Sequence, residues 1–359
     1  MGYEIDTSRP VLVTGATGYV AGWLVKRLLE EGVTVHAAVR DPERRDPARQ
    51  DKVSHLDRLA ESSPGTIRYF KADLLDDGSY ADAIADCGTV FHTASPFTLN
   101  VDDPQRDLVD PALLGTKNVL RQAAATPSVK RVVLTSSCAA VCGDNIDIRG
   151  ATNGTLTEED WNTSSSVEHM PYYYSKTVAE QEAWRMAEAQ DQYRLVTVNP
   201  HLVLGPGIQP HATSQSFTIM EQMADGTMAM GVPDIRMAMV DVRDVAEIHL
   251  HAAFHPAAHG RYLTFERSTT LPEMAGILRS HFDGFPFPKR TLPKWLVWLV
   301  GPWVDKSMTR RAVSRNVGIS WVGDNGKSRR EFDFTYRPTD HAIIEMFQQM
   351  IDAGRVKPR

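Results

Sequence analysis

The stretch VLVTGATGYVAGWL, residues 11–24, constrains this chain more than any other. An apolar, β-branched run gives way to Gly15 and Gly18, and these open directly into a helix-forming pattern. A turn that tight needs residues without a Cβ, because the backbone must pass close to a bound group while the first N–H groups of the helix stay unpaired at its positive end. A strand, a glycine turn and a helix N-terminus in that order make a cradle for a pyrophosphate. The third position of the spacing is Ala21, and a methyl group is tolerated where the helix packs on the strand.

The same rhythm continues. PVLVT (10–14), VTVHAAV (33–39), TIRYFKA (66–72), TVFHTA (89–94), RVVLTS (131–136) and RLVTVN (194–199) are short and almost continuously apolar, as strands buried on both faces are. Helical segments separate them, among them 19–31, 104–125 and 172–189. Strand and helix in alternation predict right-handed crossovers and an α/β fold with a doubly wound parallel sheet of the Rossmann type. After Asn199 a Pro/Gly-rich loop leads into a methionine-rich stretch, βα units return, and a mostly helical C-terminal part begins near Leu271. The expected division is a dinucleotide-binding domain of 9–200 plus about 237–268, and a smaller substrate lobe of about 201–236 plus 269–359.

Several functional classes are disfavoured. With 42% hydrophobic and 23% charged residues and a net charge of −6, the chain has the balance of a soluble globular protein and not of a general nucleic-acid binder. Cys87, Cys138 and Cys142 form no CxxC pair and leave an odd count, which supports neither a disulfide framework nor a metal site and fits a reducing compartment. The polar start MGYEIDTSRP lacks the pattern of a signal or transit peptide, so a cytoplasmic location is expected. Oligomeric state, monomer or homodimer, stays open. LPKWLVWLVGPWV (292–304) is too short to cross a bilayer and is broken by Lys294, Gly301 and Pro302. It is expected to be a packed amphipathic helix, with a membrane-surface or partner-binding patch as the alternative.

The end of the second strand, AAVRDPER, bears on which dinucleotide is held. An acidic residue there accepts from a free ribose 2′-hydroxyl, whereas arginine grips a 2′-phosphate. Arg40 takes that place, with Arg44 and Arg45 nearby, so NADP(H) is preferred, although Asp41 could address the ribose. Asp73, beyond the third strand, could accept from the adenine amino group or cap a helix.

TGATGYVAG, ADL (72–74), TASP (93–96), LTSS (134–137), YxxxK (172–176) and NPHLVLGP (199–206) together resemble an extended short-chain dehydrogenase/reductase over nearly the whole chain. VRDPER, FHTASPF and KSRREFDFTYRP are similar to the branch of dihydroflavonol reductase, cinnamoyl-CoA reductase and yeast-type aldehyde (methylglyoxal) reductase. The resemblance implies NADPH-dependent carbonyl reduction with Ser137, Tyr172 and Lys176 as the catalytic set. For the cofactor it implies Gly15, Thr17, Gly18, Tyr19, Val20, Arg40, Arg44, Asp73, Leu74, Thr93, Ala94, Ser95, Tyr172, Lys176, Pro200 and Val203, and for substrate Phe97, Ser137, Tyr172 and Tyr174.

The chemistry is consistent with that set. Hydride arriving at a carbonyl carbon creates an alkoxide that needs a donor and finally a proton. A phenol with a free pKa of about 10 supplies it, and a lysine cation at i+4 stabilises the phenolate. Of the three tyrosines in PYYYSK, Tyr172 and Tyr173 can both share the face of Lys176, and the family spacing selects Tyr172. Ser136 could replace Ser137. Asn118 either organises a water on the sheet side of its helix or faces solvent, and His201 stands where the family often has a small residue. The methionines of 205–240 suit a bulky apolar aldehyde or ketone. The rivals are a sugar-nucleotide epimerase/dehydratase, a hydroxysteroid dehydrogenase and a non-catalytic dinucleotide sensor.

Arg40 yields the first test. Arg40→Ser should weaken NADPH by about tenfold or more while leaving NADH nearly unchanged, as loss of one charged hydrogen bond requires. Dissociation constants from nucleotide fluorescence check it, and equal losses for both cofactors would refute the NADP(H) preference.

Overall fold

The computed structural model describes residues 3–42, 53–95, 101–209 and 211–359. Its strands are β1 (Val11–Thr14), β2 (Thr34–Val39), β3 (Thr66–Lys71), β4 (Thr89–His92), β5 (Arg131–Thr135), β6 (Arg194–Pro200), β7 (Leu202–Leu204), β8 (Val232–Pro233), β9 (Arg236–Asp241), β10 (Gly260–Thr264), β11 (Arg267–Thr270) and β12 (Thr291–Leu292). Seven of them form one parallel sheet in the order β10-β6-β5-β4-β1-β2-β3. This is the doubly wound Rossmann arrangement with one strand added at the β6 edge. A separate three-stranded sheet, β11-β9-β7, and the pair β12-β8 belong to the remainder.

The helices are α1 (Tyr19–Glu30), α2 (Ser54–Glu61), α3 (Ala81–Ile84), α4 (Asp110–Ala125), α5 (Pro171–Glu188), α6 (Gln215–Asp225), α7 (Val242–Phe254), α8 (Leu271–His281), α9 (Lys294–Val304), α10 (Arg310–Asn316), α11 (Gly326–Phe332) and α12 (Thr339–Asp352). Alternation along the buried strands decides which helices cover which face. Val11 and Val13 of β1 join Leu24 and Leu28 of α1 and Ile248 of α7 in one core. Leu12, between them, joins Ile84 of α3, Leu120 of α4 and Ala183 of α5 in another. Strands sandwiched this way have no wet face, which is why their sequences read as continuous apolar runs.

The third core draws Phe217, Met220 and Met223 of α6 together with Met239, Leu278 of α8 and Phe347 of α12. Met220, Met223 and Met239 are fully buried, so core packing accounts for them, whereas Met230 is exposed. Asp144, wholly buried, pairs with His169 Nε2 at 2.8 Å, accepts from Asn316 Nδ2 at 2.7 Å and receives Arg315. That cluster ties α10 to the residues just ahead of α5.

The 292–304 stretch departs from expectation. It forms α9, but only Val297 and Gly301 are buried, while Trp295 is 67%, Leu299 50% and Trp303 88% exposed. The reason is the size of the partner: α9 rests chiefly on the short α10, through Val297 against Val313 and Val317, and that contact covers one side only.

One ion pair clamps the β6 side of the sheet. Glu180 of α5 is wholly buried and accepts from Arg261 Nε of β10 at 2.7 Å and from Thr197 Oγ1 and Asn199 Nδ2 of β6 at 3.2 and 2.7 Å. Ser136 donates to it as well. Arg261→Met leaves that carboxylate charged and under-paired in the interior, so unfolding in urea should show a loss of about 3–5 kcal/mol. Glu180→Leu combined with Arg261→Met should recover part of it.

Candidate active site

In a parallel sheet ligands bind where neighbouring connections leave in opposite directions, at the C-terminal ends of the strands. Here that point lies between β1 and β4. Gly15 follows β1 with φ +64°, in the left-handed region, and a Cβ there would meet the Ala94 Cα and Cβ at 3.0 Å. Glycine is thus required twice over, by its own backbone and by the approach of the 93–95 segment. Thr14 Oγ1 accepts the Ala94 N–H at 3.0 Å, and Thr93 donates to the Thr14 carbonyl, so the two strand ends are stitched together. Gly18 is the N-cap of α1 and offers no capping side chain, which leaves the first amides of the helix to an anionic group. Gly15, Thr17, Gly18, Tyr19 and Val20 line this turn; the Tyr19 hydroxyl donates to the Gly205 carbonyl at 2.6 Å and Val20 packs on Val240 and Val245.

The flanks are held in place by identifiable contacts. Arg40 is exposed at the end of β2, as is Asp41, while Arg44 and Arg45 lie outside the described residues, as does Phe97. Asp73 caps no helix: its Oδ1 accepts the Leu75 N–H at 2.9 Å in a local turn. Asn118 neither faces solvent nor is left to a water. It is buried, donates to the Leu74 and Asp76 carbonyls at 3.3 and 2.7 Å and accepts the Gly78 N–H at 3.2 Å. Its work is to pin the loop that carries Asp73 and Leu74. No periodicity could have told which carbonyls it would find.

Ser137 follows β5 as the N-cap of a single 3-10 turn, its Oγ accepting the Ala139 N–H at 3.1 Å and donating to the Pro200 carbonyl at 3.3 Å. Ser136, one residue earlier, is buried and donates to Glu180, and it lines a small cavity together with Ser95 and Lys176. Tyr172, in the first turn of α5, lies beside Ser137. Desolvation raises its pKa above the ordinary phenol value and the nearby Ser137 hydroxyl pulls it back, although the residue is 42% exposed.

Lys176 Nζ lies 5.8 Å from the Tyr172 ring centroid and donates to Ser95 Oγ at 2.9 Å. Desolvation lowers its pKa to about 8, against the pull of Glu180 one helical turn on. Tyr173 sits on the other side, among Cys138, Cys142 and Asp144, and its pKa is pushed up by burial. Tyr174 is half-buried.

Pro200 ends β6 and Val203 lies half-buried in β7. His201 stacks edge-on against Trp321 at 4.9 Å, and burial lowers its pKa to about 4, so it is neutral wall. Sequence reasoning missed His92, buried at the foot of the cleft, joined to Thr14 Oγ1 at 2.9 Å and held to a pKa of about 3 by burial and by Lys176. It also missed Glu180; the only sequence signal was an acidic residue at i+4 from Lys176 on an apolar face.

The family model for the NAD dependent epimerase/dehydratase family matches residues 11–265. The chain belongs to that family. Relatives of this family member include cinnamoyl-CoA reductase CAD2 of Medicago truncatula, 40% identical over 283 residues that cover 78% of this chain and 83% of the relative. An anthocyanidin reductase of Vitis vinifera is 36% identical over 287 residues, 77% and 82% of the two chains. Yeast methylglyoxal/isovaleraldehyde reductase Gre2, solved in complex with NADPH, superposes with a TM-score of 0.78 at 26% identity over 97% of this chain and 100% of its own. As a family member with these relatives the protein is an oxidoreductase, and the glycine cradle, the uncapped α1 and the free face of Tyr172 and Lys176 fit a nicotinamide dinucleotide.

A lysine with a pKa near 8 carries a far larger share of free amine at pH 8 than an ordinary one near 10.5. Limited acylation with acetic anhydride, followed by peptide mapping, should label Lys176 ahead of Lys117 and Lys357, with the rate climbing through about pH 8 and falling when NADPH is added. Labelling of Lys176 no faster than that of the other two would contradict the depressed pKa.

Proposed function

We propose that the protein is an NADPH-dependent reductase of bulky, apolar aldehydes or ketones, with Tyr172 as general acid and Ser137 and Lys176 as its assistants. What supports the reading is the placement of Tyr172 beside Ser137 and of Lys176 beside the same ring, next to the glycine turn of a dinucleotide cradle. When bound, NADPH supplies the hydride. Gly15 and the first turn of α1 would hold its pyrophosphate, Arg40 its 2′-phosphate, Asp73 and Leu74 its adenine side, and Lys176, with Ser95 and the Pro200–Val203 segment, its nicotinamide end.

The protein's own groups do the rest. Ser137 and Tyr172 hydrogen-bond the substrate carbonyl oxygen and polarise it. As charge gathers there, Tyr172 transfers its proton, and its phenolate is held by the Ser137 hydroxyl and the neighbouring ammonium of Lys176. The bond from Asn199 Nδ2 to the Ser137 carbonyl, 3.2 Å, ties that strand end to β6.

The apolar substrate is supported by the lining rather than by the chemistry. Met228 and Met237 are partly buried against the lobe core and can repack, and the segment GPGIQPHATSQSF has no lysine or arginine to meet the two phosphates of a sugar nucleotide. The reductase relatives support carbonyl reduction over epimerisation.

Loss of NADPH absorbance at 340 nm with a panel of aryl and alkyl carbonyl compounds tests the reading. Tyr172→Phe should lower turnover by about 10²–10⁴-fold with NADPH affinity nearly intact, and Tyr173→Phe should change it little. An active Tyr172→Phe enzyme, or tight NADPH binding with no turnover on any carbonyl by the native protein, would overturn it.

A further inference from the structure

The outer face of α9 is an exposed apolar stripe. Trp295, Leu299 and Trp303 recur at i, i+4 and i+8 and point the same way, and Trp298, Val300 and Val304 beside them are also exposed. Eleven residues rise about 16 Å, roughly half of a bilayer's hydrocarbon core. Among the described residues no helix is long and apolar enough to cross a membrane. The stripe therefore suits a helix that lies along a surface.

Its charge says which surface. Residues 289–311 hold six lysines and arginines against Asp305 alone, inside a chain whose net charge is −6. Lys289, Arg290, Lys306, Arg310 and Arg311 are exposed around the ends of α9. The Arg310 guanidinium lies 4.6 Å from the Trp298 ring centroid, a cation at the border of the apolar face. Apolar residues and tryptophan on one side, with cations at the rim, are what an anionic lipid headgroup layer receives. A second copy docked by a two-fold axis through the same stripe would set this cationic rim against itself.

We propose that α9 with its basic flanks is a peripheral docking surface for anionic phospholipid bilayers, lying in the interface with Trp295, Leu299 and Trp303 inserted among the headgroups and upper acyl chains. Val297 packs with Val313 and Val317, and Gly301 abuts Met308 of the connection to α10, so the opposite side of α9 stays seated and docking needs no unfolding. The surface is independent of the reaction assigned above, because none of its residues lines the cleft of Ser137, Tyr172 and Lys176.

The test is co-sedimentation of the full-length protein with vesicles of phosphatidylcholine alone and of phosphatidylcholine with about one third phosphatidylserine. Binding is expected with the anionic vesicles only, and it should fall steeply as salt rises to about 0.5 M. Brominated acyl chains in the same vesicles should quench tryptophan emission. Trp295→Ser with Trp303→Ser should abolish binding and quenching, and Lys306→Glu with Arg310→Glu should weaken binding by roughly tenfold or more, each with thermal unfolding unchanged. Either of two results refutes the proposal: native protein that stays in solution with anionic vesicles, or one that binds both vesicle types equally. A third is a native dimer in sedimentation velocity that the double serine variant dissolves, which would assign the stripe to a second copy.

Discussion

A buried carboxylate organises the strand ends beside Lys176. Glu180 is wholly buried and sits one helical turn beyond Lys176. Its oxygens collect donors from β6, from β10 and from the residue after β5. Desolvating that charge is costly, and only a full complement of partners offsets it. Each partner is consequently fixed: the Ser136 hydroxyl is committed to the carboxylate, whereas Ser137 is not among its donors. Asn199 is held where it can also reach the Ser137 carbonyl. Arg261 is anchored further by the Glu158 and Asp160 carbonyls at 2.9 and 2.6 Å and stacks 4.0 Å from Trp161. The same negative charge opposes the desolvation that depresses Lys176. Fold stability and the charge state of a cleft lysine thus share one group.

The other half of the cleft rests on the contact between the ends of β1 and β4. Gly15 has no Cβ, so the 93–95 segment can close on it, and Thr14 serves both Ala94 and His92. His92 gives up its basicity in that position, which places a neutral imidazole beneath a lysine instead of a second cation.

Much of this was legible in the residues and some was not. The first six strands follow their expected segments to within a few residues; all but the edge strand β3, which is exposed or half-buried throughout, are buried on both faces and leave a continuous apolar signature. The glycine turn was legible because its backbone conformation excludes other side chains. Asn118 and Glu180 were not, since a buried polar side chain is explained by partners brought from distant segments, and their identity is a tertiary fact. The 292–304 helix was misjudged for the opposite reason: its composition promises burial, but burial depends on how large a neighbour the chain provides, and α10 has only seven residues.

Helix α1 does more than present its amides. Its Tyr19 hydroxyl and its Trp23 indole, which donates to the Pro206 carbonyl at 2.7 Å, both grip the loop after β7. Gln349 of α12 holds the same loop from the far side by accepting the Gly207 N–H at 2.7 Å and donating to its carbonyl at 2.8 Å. The loop is a strut with one foot on the nucleotide helix and the other on the last helix of the chain. The segment 205–207 is therefore braced from both sides, and its place beside α1 is set by four hydrogen bonds from two helices rather than by the loop itself.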